Sequence, residues 1–261
     1  MTEKTEDKTV DVAGTKLRYL EAGSGPTVLF LHGADGETWS PLLDALSAHH
    51  RVISPEHPGF GRTPIPAWMM NAGDLAYFYL DVVEALGLRD VHLVGHCLGG
   101  WVAAEMAIRN TQRLASLALL APAGVESRDA SIDDIFAWGP EEFARRQFHD
   151  PKLAAEWQAA QAKLDIDIVL QNRTGLARLA WNPRLHSPQL PHWLHRINIP
   201  TLLVWGENDR VIPLACHQPF MREIKQARFV SLPDTGHALP IEGAKVIGPQ
   251  LKAFFQGGAQ G

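Results

Sequence analysis

The chain has 261 residues, of which 46% are hydrophobic and 20% are charged, a balance typical of one globular domain or one domain with an insertion. The net charge is −5 and no segment concentrates lysine and arginine, so the composition argues against a nucleic-acid partner. No apolar run approaches the length of a membrane span. Residues 1–8 lack the apolar stretch of a secretory signal, and the two cysteines are too few for a disulfide framework, so we expect a cytoplasmic protein.

Strand patterns alternate with helical patterns along most of the chain. Strands are predicted over residues 9–13, 16–22, 27–31, 51–54, 91–94, 115–120, 199–206 and 228–232. Helices are predicted over residues 41–48, 71–86, 101–108, 131–138, 140–148, 151–164, 167–179, 213–224 and 241–255. This alternation is typical of βαβ units, so the sequence predicts an α/β fold with a mostly parallel, eight-stranded sheet and flanking helices.

The alternation stops between residues 123 and 196. This segment has helical spacing without a strand-like run, and it holds four of the eight tryptophans. We interpret it as a helical lid over the sheet, so the predicted core consists of residues 1–122 and 197–261. The composition of the lid favours an apolar, partly aromatic pocket.

The most informative local pattern is the turn after the strand at residues 91–94. There the sequence reads Gly95-His96-Cys97-Leu98-Gly99, and an alanine-rich helical pattern follows. A sharp strand–turn–helix connection needs small residues on either side, because the flanking backbones approach closely. This layout is that of the G-x-S-x-G nucleophile elbow, with cysteine where serine is usual. The alternative is that Cys97 is an ordinary buried cysteine.

Three residues with complementary chemistry follow predicted strands in the order nucleophile, acid, base: Cys97, Asp209 and His237. Ligands of open parallel sheets bind at the carboxyl edge of the strands. A thiol needs less activation than a hydroxyl, and both the helix N-terminus and His237 favour the thiolate. Asp209 would orient the imidazole. Glu207 and Asp234 are the alternative acids.

An oxyanion that develops during acyl transfer needs two preorganised donors. The backbone N–H of Leu98, directly after the nucleophile, is predicted to be one. The other is assigned to Ala34, in the loop after the strand at residues 27–31, on position alone.

Five segments together resemble the α/β-hydrolase superfamily, and the resemblance covers residues 16–255. They are His32-Gly33, His57-Pro58-Gly59-Phe60-Gly61-Arg62-Thr63, Gly95-His96-Cys97-Leu98-Gly99-Gly100, Gly206-Glu207-Asn208-Asp209-Arg210-Val211-Ile212-Pro213 and Gly236-His237. The resemblance implies an enzyme that acts on a small molecule without cofactor or metal. The lidded layout is similar to that of esterases, lactonases and the meta-cleavage product hydrolases, although many of the last have Trp where Ala238 stands. Dienelactone hydrolases have a similar cysteine elbow but lack a lid of this length.

We therefore expect a carboxylic ester hydrolase that cleaves an ester, lactone or thioester of a small apolar or aromatic substrate through an acyl-enzyme. The alternatives are a carbon–carbon bond hydrolase of the meta-cleavage product type, a serine hydrolase whose nucleophile has been replaced by cysteine, and a non-catalytic ligand-binding member of the fold. The sequence leaves open whether Cys97 is native.

Other side chains are candidates for the substrate pocket or have competing interpretations. The pocket candidates are Asp35, His96, Trp138, Arg173, Trp181 and Ala238. His96 is expected to pack rather than to act as the base, and Cys216 is expected to pack in a helix. No metal-ligand spacing is found among the histidines, and the chain is expected to be a monomer or a homodimer.

Overall fold

The fold is given by a computed structural model that describes residues 5–36 and 38–257. The strands are β1 (Glu6–Val12), β2 (Thr15–Ala22), β3 (Thr27–Leu31), β4 (Arg51–Pro55), β5 (Val91–His96), β6 (Leu114–Leu120), β7 (Thr201–Gly206) and β8 (Ala227–Leu232). The helices are α1 (Pro41–Ser47), α2 (Ala72–Ala85), α3 (Leu98–Arg109), α4 (Pro140–Gln147), α5 (Pro151–Gln161), α6 (Ile166–Ala180), α7 (Leu190–Trp193), α8 (His217–Glu223), α9 (Leu239–Glu242) and α10 (Ala244–Gly257). Short 3₁₀ turns span Ile135–Ala137, Leu194–Arg196 and Leu214–Cys216.

The eight strands form one sheet in the order β1-β2-β4-β3-β5-β6-β7-β8. The hairpin β1–β2 is antiparallel and β2 pairs antiparallel with β4, whereas every later neighbour pair is parallel. The predicted mostly parallel, eight-stranded α/β sheet is confirmed. Since all these parallel strands run the same way, their carboxyl ends meet at one edge, where the loops after β3, β5, β7 and β8 lie.

The central strands are apolar because helices cover both faces of the sheet. Every residue of β5 and of β7 is buried, as expected for parallel strands between two layers of helices. The alternating burial of β2 shows instead one face against the core. The site at the strand ends therefore stands on a rigid, fully packed support.

Helix α2 shows how local signals set the element boundaries. The side chain of Asn71 accepts a hydrogen bond from the backbone N–H of Asp74 at 2.9 Å, an N-cap contact. At the other end Gly87 has a φ of +62°, the left-handed conformation that glycine adopts readily after a helix. The prediction of a helix that stops at Gly87 is confirmed.

The predicted helix over residues 131–138 is wrong, since only the 3₁₀ turn at Ile135–Ala137 forms there. The carboxylate of Asp134 accepts the backbone N–H of Phe136 at 3.1 Å. Such a local side-chain bond offers the backbone an alternative to the helix. The residues that suggested helical spacing, Ile135 and Trp138, are nevertheless buried.

The two C-terminal helices are also shorter than predicted. The segment 213–224 opens with the 3₁₀ turn at Leu214–Cys216 and becomes α-helical only from His217. The segment 241–255 is interrupted at Gly243, which ends α9 before α10 begins. Cys216 is fully buried in the core cluster, so it packs as expected, although in a 3₁₀ turn rather than a helix.

Helices α4 to α7 all lie between β6 and β7, in the segment that interrupts the alternation. A close backbone contact joins this segment to the loop after β4, because a Cβ atom on Gly175 would stand 2.2 Å from the carbonyl oxygen of Gly59. Only a glycine permits α6 to approach the loop this closely. Across the part of the chain that the structure describes, no helix combines the length and the apolar character needed to cross a membrane.

Candidate active site

Cys97 lies at the tip of the turn between β5 and α3 with a strained backbone. Its φ is +52° and its ψ is −114°, a conformation that L-residues adopt only where the surroundings enforce it. The surroundings do so here, because the N–H of Cys97 donates to the carbonyl of Leu120 at 3.1 Å and its own carbonyl accepts from the N–H of Ala123 at 3.0 Å. The side chain is held in one place at the carboxyl end of β5.

Small residues around Cys97 are required by contact distances. A Cβ atom on Gly95 would stand 2.3 Å from the carbonyl oxygen of Gly99, and one on Gly99 would stand 2.1 Å from the carbonyl oxygen of Leu31. Both opposing atoms belong to the backbone and cannot rotate away. The glycines of the elbow pattern therefore allow α3 to pack directly against the ends of β5 and β3.

His237 and Asp209 form a buried hydrogen-bonded pair. The Nδ1–H of His237 donates to Oδ2 of Asp209 at 2.7 Å, and the two side chains are 1% and 0% exposed. The other carboxylate oxygen of Asp209 accepts the backbone N–H groups of Val211 at 2.8 Å and of Ile212 at 2.9 Å. Since both oxygens are engaged, the carboxylate cannot turn, and the tautomer of the imidazole is fixed.

The pKa of His237 responds to burial and to two neighbouring groups. Burial lowers this pKa, but Asp209 and then Cys97 outweigh burial and hold it well above its usual value. The Nε2 atom of His237 has no hydrogen-bond partner among the described residues. Since Nδ1 is bonded to Asp209, Nε2 is the ring atom left to exchange a proton with a nucleophile or a substrate.

His96 supports the loop that carries His237 (residues 233–237, the histidine loop). Its Nε2–H donates to the carbonyl oxygen of His237 at 2.9 Å, and the two rings are 4.8 Å apart. Burial lowers the pKa of His96 to about 3, so the ring is neutral near pH 7. This ring is bound through Nε2 to the backbone of His237, so it positions the loop that carries the imidazole.

A buried network of three rings holds the loop after β3. His32 donates from Nδ1 to the carbonyl of Gly33 at 2.8 Å and accepts at Nε2 the N–H of His57 at 2.9 Å. His57 in turn donates from Nε2 to the carbonyl of His32 at 2.9 Å and accepts at Nδ1 the hydroxyl of Tyr79 at 2.5 Å. Burial lowers the pKa of His57 to about 3, so the network is uncharged and structural.

Replacing Tyr79 by Phe is expected to destabilise the protein by about 1–3 kcal/mol, because the buried Nδ1 of His57 loses its only donor. Urea unfolding followed by tryptophan fluorescence measures this loss. Tyr77 on the same helix is the matched control, since it is 58% exposed and contacts Arg109 through its ring, which Phe retains. An equal effect of the two substitutions would contradict the role assigned to the network.

Two backbone N–H groups beside Cys97 are available to a ligand. Within the described residues, neither the N–H of Ala34 nor that of Leu98 donates a hydrogen bond. The loop and the elbow are adjacent, since the N–H of Gly99 donates to the carbonyl of His32 at 3.0 Å. Paired free donors next to a nucleophile have the arrangement that an oxyanion requires.

An apolar cavity of about 330 Å³ opens beside this loop. Its wall joins the loop after β3 to the helical segment between β6 and β7, and it includes Ala34, Asp35, Phe136, Phe143, Trp157 and Leu176. Cys97 and His237 do not line the cavity, and each is only 1% exposed. The cavity therefore ends at the loop that carries Ala34 and Asp35, next to the elbow.

The family model of the alpha/beta hydrolase family matches residues 28–247. This chain belongs to the α/β-hydrolase family. It is 30% identical to a protein of Variovorax paradoxus described as a candidate carbamate hydrolase, RutD, over 88% of this chain and 92% of that protein. It is also 28% identical to a 2-hydroxy-6-oxo-6-phenylhexa-2,4-dienoate hydrolase of Comamonas testosteroni, over 91% and 93% of the two chains. A solved bacterial membrane phospholipase A superposes with a TM-score of 0.84 at 25% identity, over 98% of this chain and 87% of that structure.

The alternative acids of this α/β-hydrolase lie away from the histidine. Glu207 accepts the hydroxyl of Ser231 at 2.8 Å on the surface. The side chain of Asp234 is 90% exposed and lies 3.7 Å from Nε2 of His149. Only Asp209 contacts the imidazole of His237 among these three carboxylates.

Of the six predicted pocket residues, Asp35 and Arg173 line the cavity. Trp138 and Trp181 each contact a residue of its wall. Trp138 accepts a hydrogen bond at its carbonyl from Arg173 at 2.9 Å, and Trp181 is 53% exposed with its ring 4.9 Å from Phe136 of the cavity wall. The last two candidates do not line the cavity either: His96 bonds to the carbonyl of His237, and Ala238 packs in a small buried cluster.

Two positioning residues of the α/β-hydrolase were not found from the sequence. Glu242 accepts the N–H of Gly236 at 2.6 Å and that of Asp150 at 2.7 Å, so it ties the histidine loop to the segment between α4 and α5. Asn172 of α6 donates to the carbonyl of Asp35 at 3.2 Å and accepts the N–H of Gly61 at 2.7 Å. Neither residue lies in a recognisable motif, and the contacts join positions distant in the chain, so no local signal existed.

Proposed function

We propose that this α/β-hydrolase cleaves esters, lactones or thioesters of small apolar or aromatic acids through an acyl-enzyme on Cys97. The observation that carries the proposal is the placement of the His237 imidazole, buried and bonded at Nδ1 to Asp209 at 2.7 Å, in a loop that the residue before Cys97 holds through a hydrogen bond to the His237 carbonyl. A nucleophile, a base and an oriented carboxylate in this relation support acyl transfer.

In the first half-reaction the thiolate of Cys97 attacks the carbonyl carbon and forms a carbon–sulfur bond. The oxyanion is stabilised by the N–H groups of Ala34 and Leu98. When the tetrahedral intermediate collapses, the carbon–oxygen or carbon–sulfur bond to the leaving group breaks. The imidazolium of His237 gives its Nε2 proton to that leaving group, so the products are an alcohol or thiol and a thioester on Cys97.

In the second half-reaction the neutral His237 removes a proton from water, and the hydroxide adds to the thioester carbonyl. Collapse of this intermediate breaks the carbon–sulfur bond, releases the acid and restores the thiolate beside an imidazolium. Asp209 stabilises the charged ring in both halves. We further propose that residues 123–196 act as the lid, because their side chains form most of the cavity wall.

Carbon–carbon bond hydrolysis is the second candidate, supported by the relative named as a dienoate hydrolase. The same nucleophile, base and oxyanion donors would serve that reaction. The resemblance to carbamate hydrolases instead supports an acyl carbon bonded to nitrogen or oxygen, which is the chemistry of the first candidate. Cleavage of p-nitrophenyl esters separates the two.

The first test is the intact mass of the protein after brief incubation with p-nitrophenyl acetate, together with the rate of nitrophenol release. We expect the mass to rise by one acetyl group on Cys97 and Cys97→Ala to lose both the adduct and the release. Cys216→Ala is the matched control and should behave as the parent, because burial raises the pKa of the Cys216 thiol to about 11.

The serine variant decides between the two origins of the cysteine. Sustained turnover by the parent indicates a native thiol hydrolase, whereas a single burst that Cys97→Ser converts to turnover indicates a replaced serine. If neither the parent nor Cys97→Ser forms an adduct or releases nitrophenol, the ester proposal is overturned. Carbon–carbon hydrolysis or ligand binding would then be favoured.

A further inference from the structure

Asp35 places a carboxyl group at the boundary between the cavity and the nucleophile. Its side chain lines the cavity, and its Oδ1 lies 3.2 Å from the point that a Cβ atom on Gly33 would occupy. The Cβ atom of Cys97 lies 3.2 Å from the same point. The carboxyl group and the Cβ atom of the nucleophile therefore lie on the same side of Gly33, together with Nδ1 of His96, which is 2.9 Å from that point.

The backbone around Asp35 is held firmly. Its carbonyl accepts a hydrogen bond from Asn172 at 3.2 Å, and the next residue, Gly36, has a φ of +99°. A Cβ atom on Gly36 would stand 2.6 Å from Nδ2 of Asn172, so the loop and α6 fit closely. The backbone that carries the Asp35 side chain is thus held in place by α6.

The Asp35 carboxyl group has no side-chain partner among the described residues. Arg173, a cation that also lines the cavity, donates instead from Nη2 to the carbonyl of Trp138 at 2.9 Å. Burial raises the pKa of Asp35, while its own backbone N–H and the charge of His237 oppose the rise. A polar group in an apolar cavity without a partner costs free energy until a ligand supplies one.

We propose that Asp35 is a specificity-determining residue that accepts a hydrogen bond from a hydroxyl or amino group on the carbon next to the scissile carbonyl. The proposal rests on the acyl transfer proposed above and names its preferred acyl class, the 2-hydroxy or 2-amino acids. A carboxyl oxygen accepts such a bond in either protonation state. An acyl chain that carries a carboxylate at this position is disfavoured, because an ionised carboxylate has no hydrogen to donate to Asp35.

The expected preference for substrates with a donor follows from the free energy lost when a polar group of the site is left without its hydrogen-bond partner. A site built to bond a substrate hydroxyl strongly rejects an analogue that cannot donate, since the site's own polar group then stays unpaired. A hydrogen bond to a charged group corresponds to a discrimination of about tenfold to a hundredfold. We expect this factor in kcat/KM between matched acyl groups.

The experiment compares phenyl esters of 2-hydroxypropanoate, 2-methoxypropanoate and propanoate, which share one leaving group. The methoxy ester keeps the oxygen and removes the donor. For the parent protein we expect kcat/KM for the hydroxy ester to exceed that for the methoxy ester by about tenfold or more. In Asp35→Ala the ratio should fall to within about twofold, and in Asp35→Asn, which keeps one acceptor oxygen, it should be intermediate.

The propanoate ester separates a lost preference from a damaged enzyme, because general damage lowers kcat/KM for all three esters together, whereas loss of the Asp35 contact changes the ratio between the hydroxy ester and the other two. A ratio near one in the parent, or a ratio that Asp35→Ala leaves unchanged, would overturn the proposal. Binding to Cys97→Ala, followed by saturation-transfer NMR with and without Asp35→Ala, tests the subsite without any chemistry. Equal binding of the hydroxy and methoxy esters there would overturn the Asp35 proposal, whereas selective binding without turnover by the parent would overturn the proposed reaction alone.

Discussion

Asp209→Asn is expected to lower kcat for a p-nitrophenyl ester by about a thousandfold or more while the protein stays folded. The amide oxygen of Asn can still accept the N–H groups of Val211 and Ile212, so the loop keeps its shape. The amide NH₂ group would then face Nδ1 of His237, which must become the acceptor. The proton moves to Nε2, where a base is needed, and the ring can no longer take a proton from water during deacylation.

The same substitution changes the charge state of the histidine in a defined direction. The carboxylate of Asp209 is the largest of the influences that raise the pKa of His237, so its removal lowers that pKa. Two-dimensional NMR of the imidazole in parent and variant measures the shift. A pKa that stays the same would contradict the pairing of the two side chains.

Asp234→Asn is the matched control for Asp209→Asn. It makes the same chemical change in the histidine loop, but its side chain is 90% exposed. We expect kcat to stay within about twofold of the parent, as for surface substitutions away from the site. Loss of activity in this variant with activity retained in Asp209→Asn would exchange the roles of the two acids.

Gly95→Ala is expected to destabilise the fold by more than about 4 kcal/mol, the range reached only by severe packing or backbone conflicts. The added methyl group would lie 2.3 Å from the carbonyl oxygen of Gly99 and 2.7 Å from the backbone nitrogen of Gly100. Relief requires α3 to move away from β5, which would break the contacts that hold the elbow. Thermal unfolding followed by circular dichroism measures the effect, and an insoluble product counts as the same outcome.

Gly139→Ala provides the matched control, because nothing lies within 4 Å of a Cβ atom at Gly139 and its φ of −71° suits alanine. Its melting temperature should stay within a few degrees of that of the parent. A Gly95→Ala protein that melts together with the Gly139→Ala protein would show that the elbow has room for a side chain, contrary to the distances given above.

Most of the fold follows from signals that act over a few residues. Buried apolar runs predict the strands β3, β5 and β7, and the pair formed by Asn71 and Gly87 predicts the two ends of α2. The helix predicted over residues 131–138 failed because the side chain of Asp134 accepts a hydrogen bond from a nearby backbone N–H. That competition depends on small energy differences between neighbouring conformations, which spacing alone does not resolve.

Part of the candidate site can also be read from the sequence. The order Cys97, Asp209, His237 and the elbow glycines are visible in the sequence, since the carboxyl ends of parallel strands share one edge. Asn172 and Glu242 were invisible, because a lone Asn or Glu in a helical pattern has no signature until a distant segment supplies its partner. The bond from His96 to the carbonyl of His237 joins residues 141 positions apart.

The sequence by itself determined the α/β class, the family and the chemistry offered at the strand ends, because these depend on periodicity and on residue types at short spacing. Only the tertiary structure decided which carboxylate meets the histidine, which N–H groups remain free, and that Asn172 and Glu242 hold the loops around the site. Those features depend on distances between segments far apart in the chain, and such distances exist only once helices and sheet have packed together.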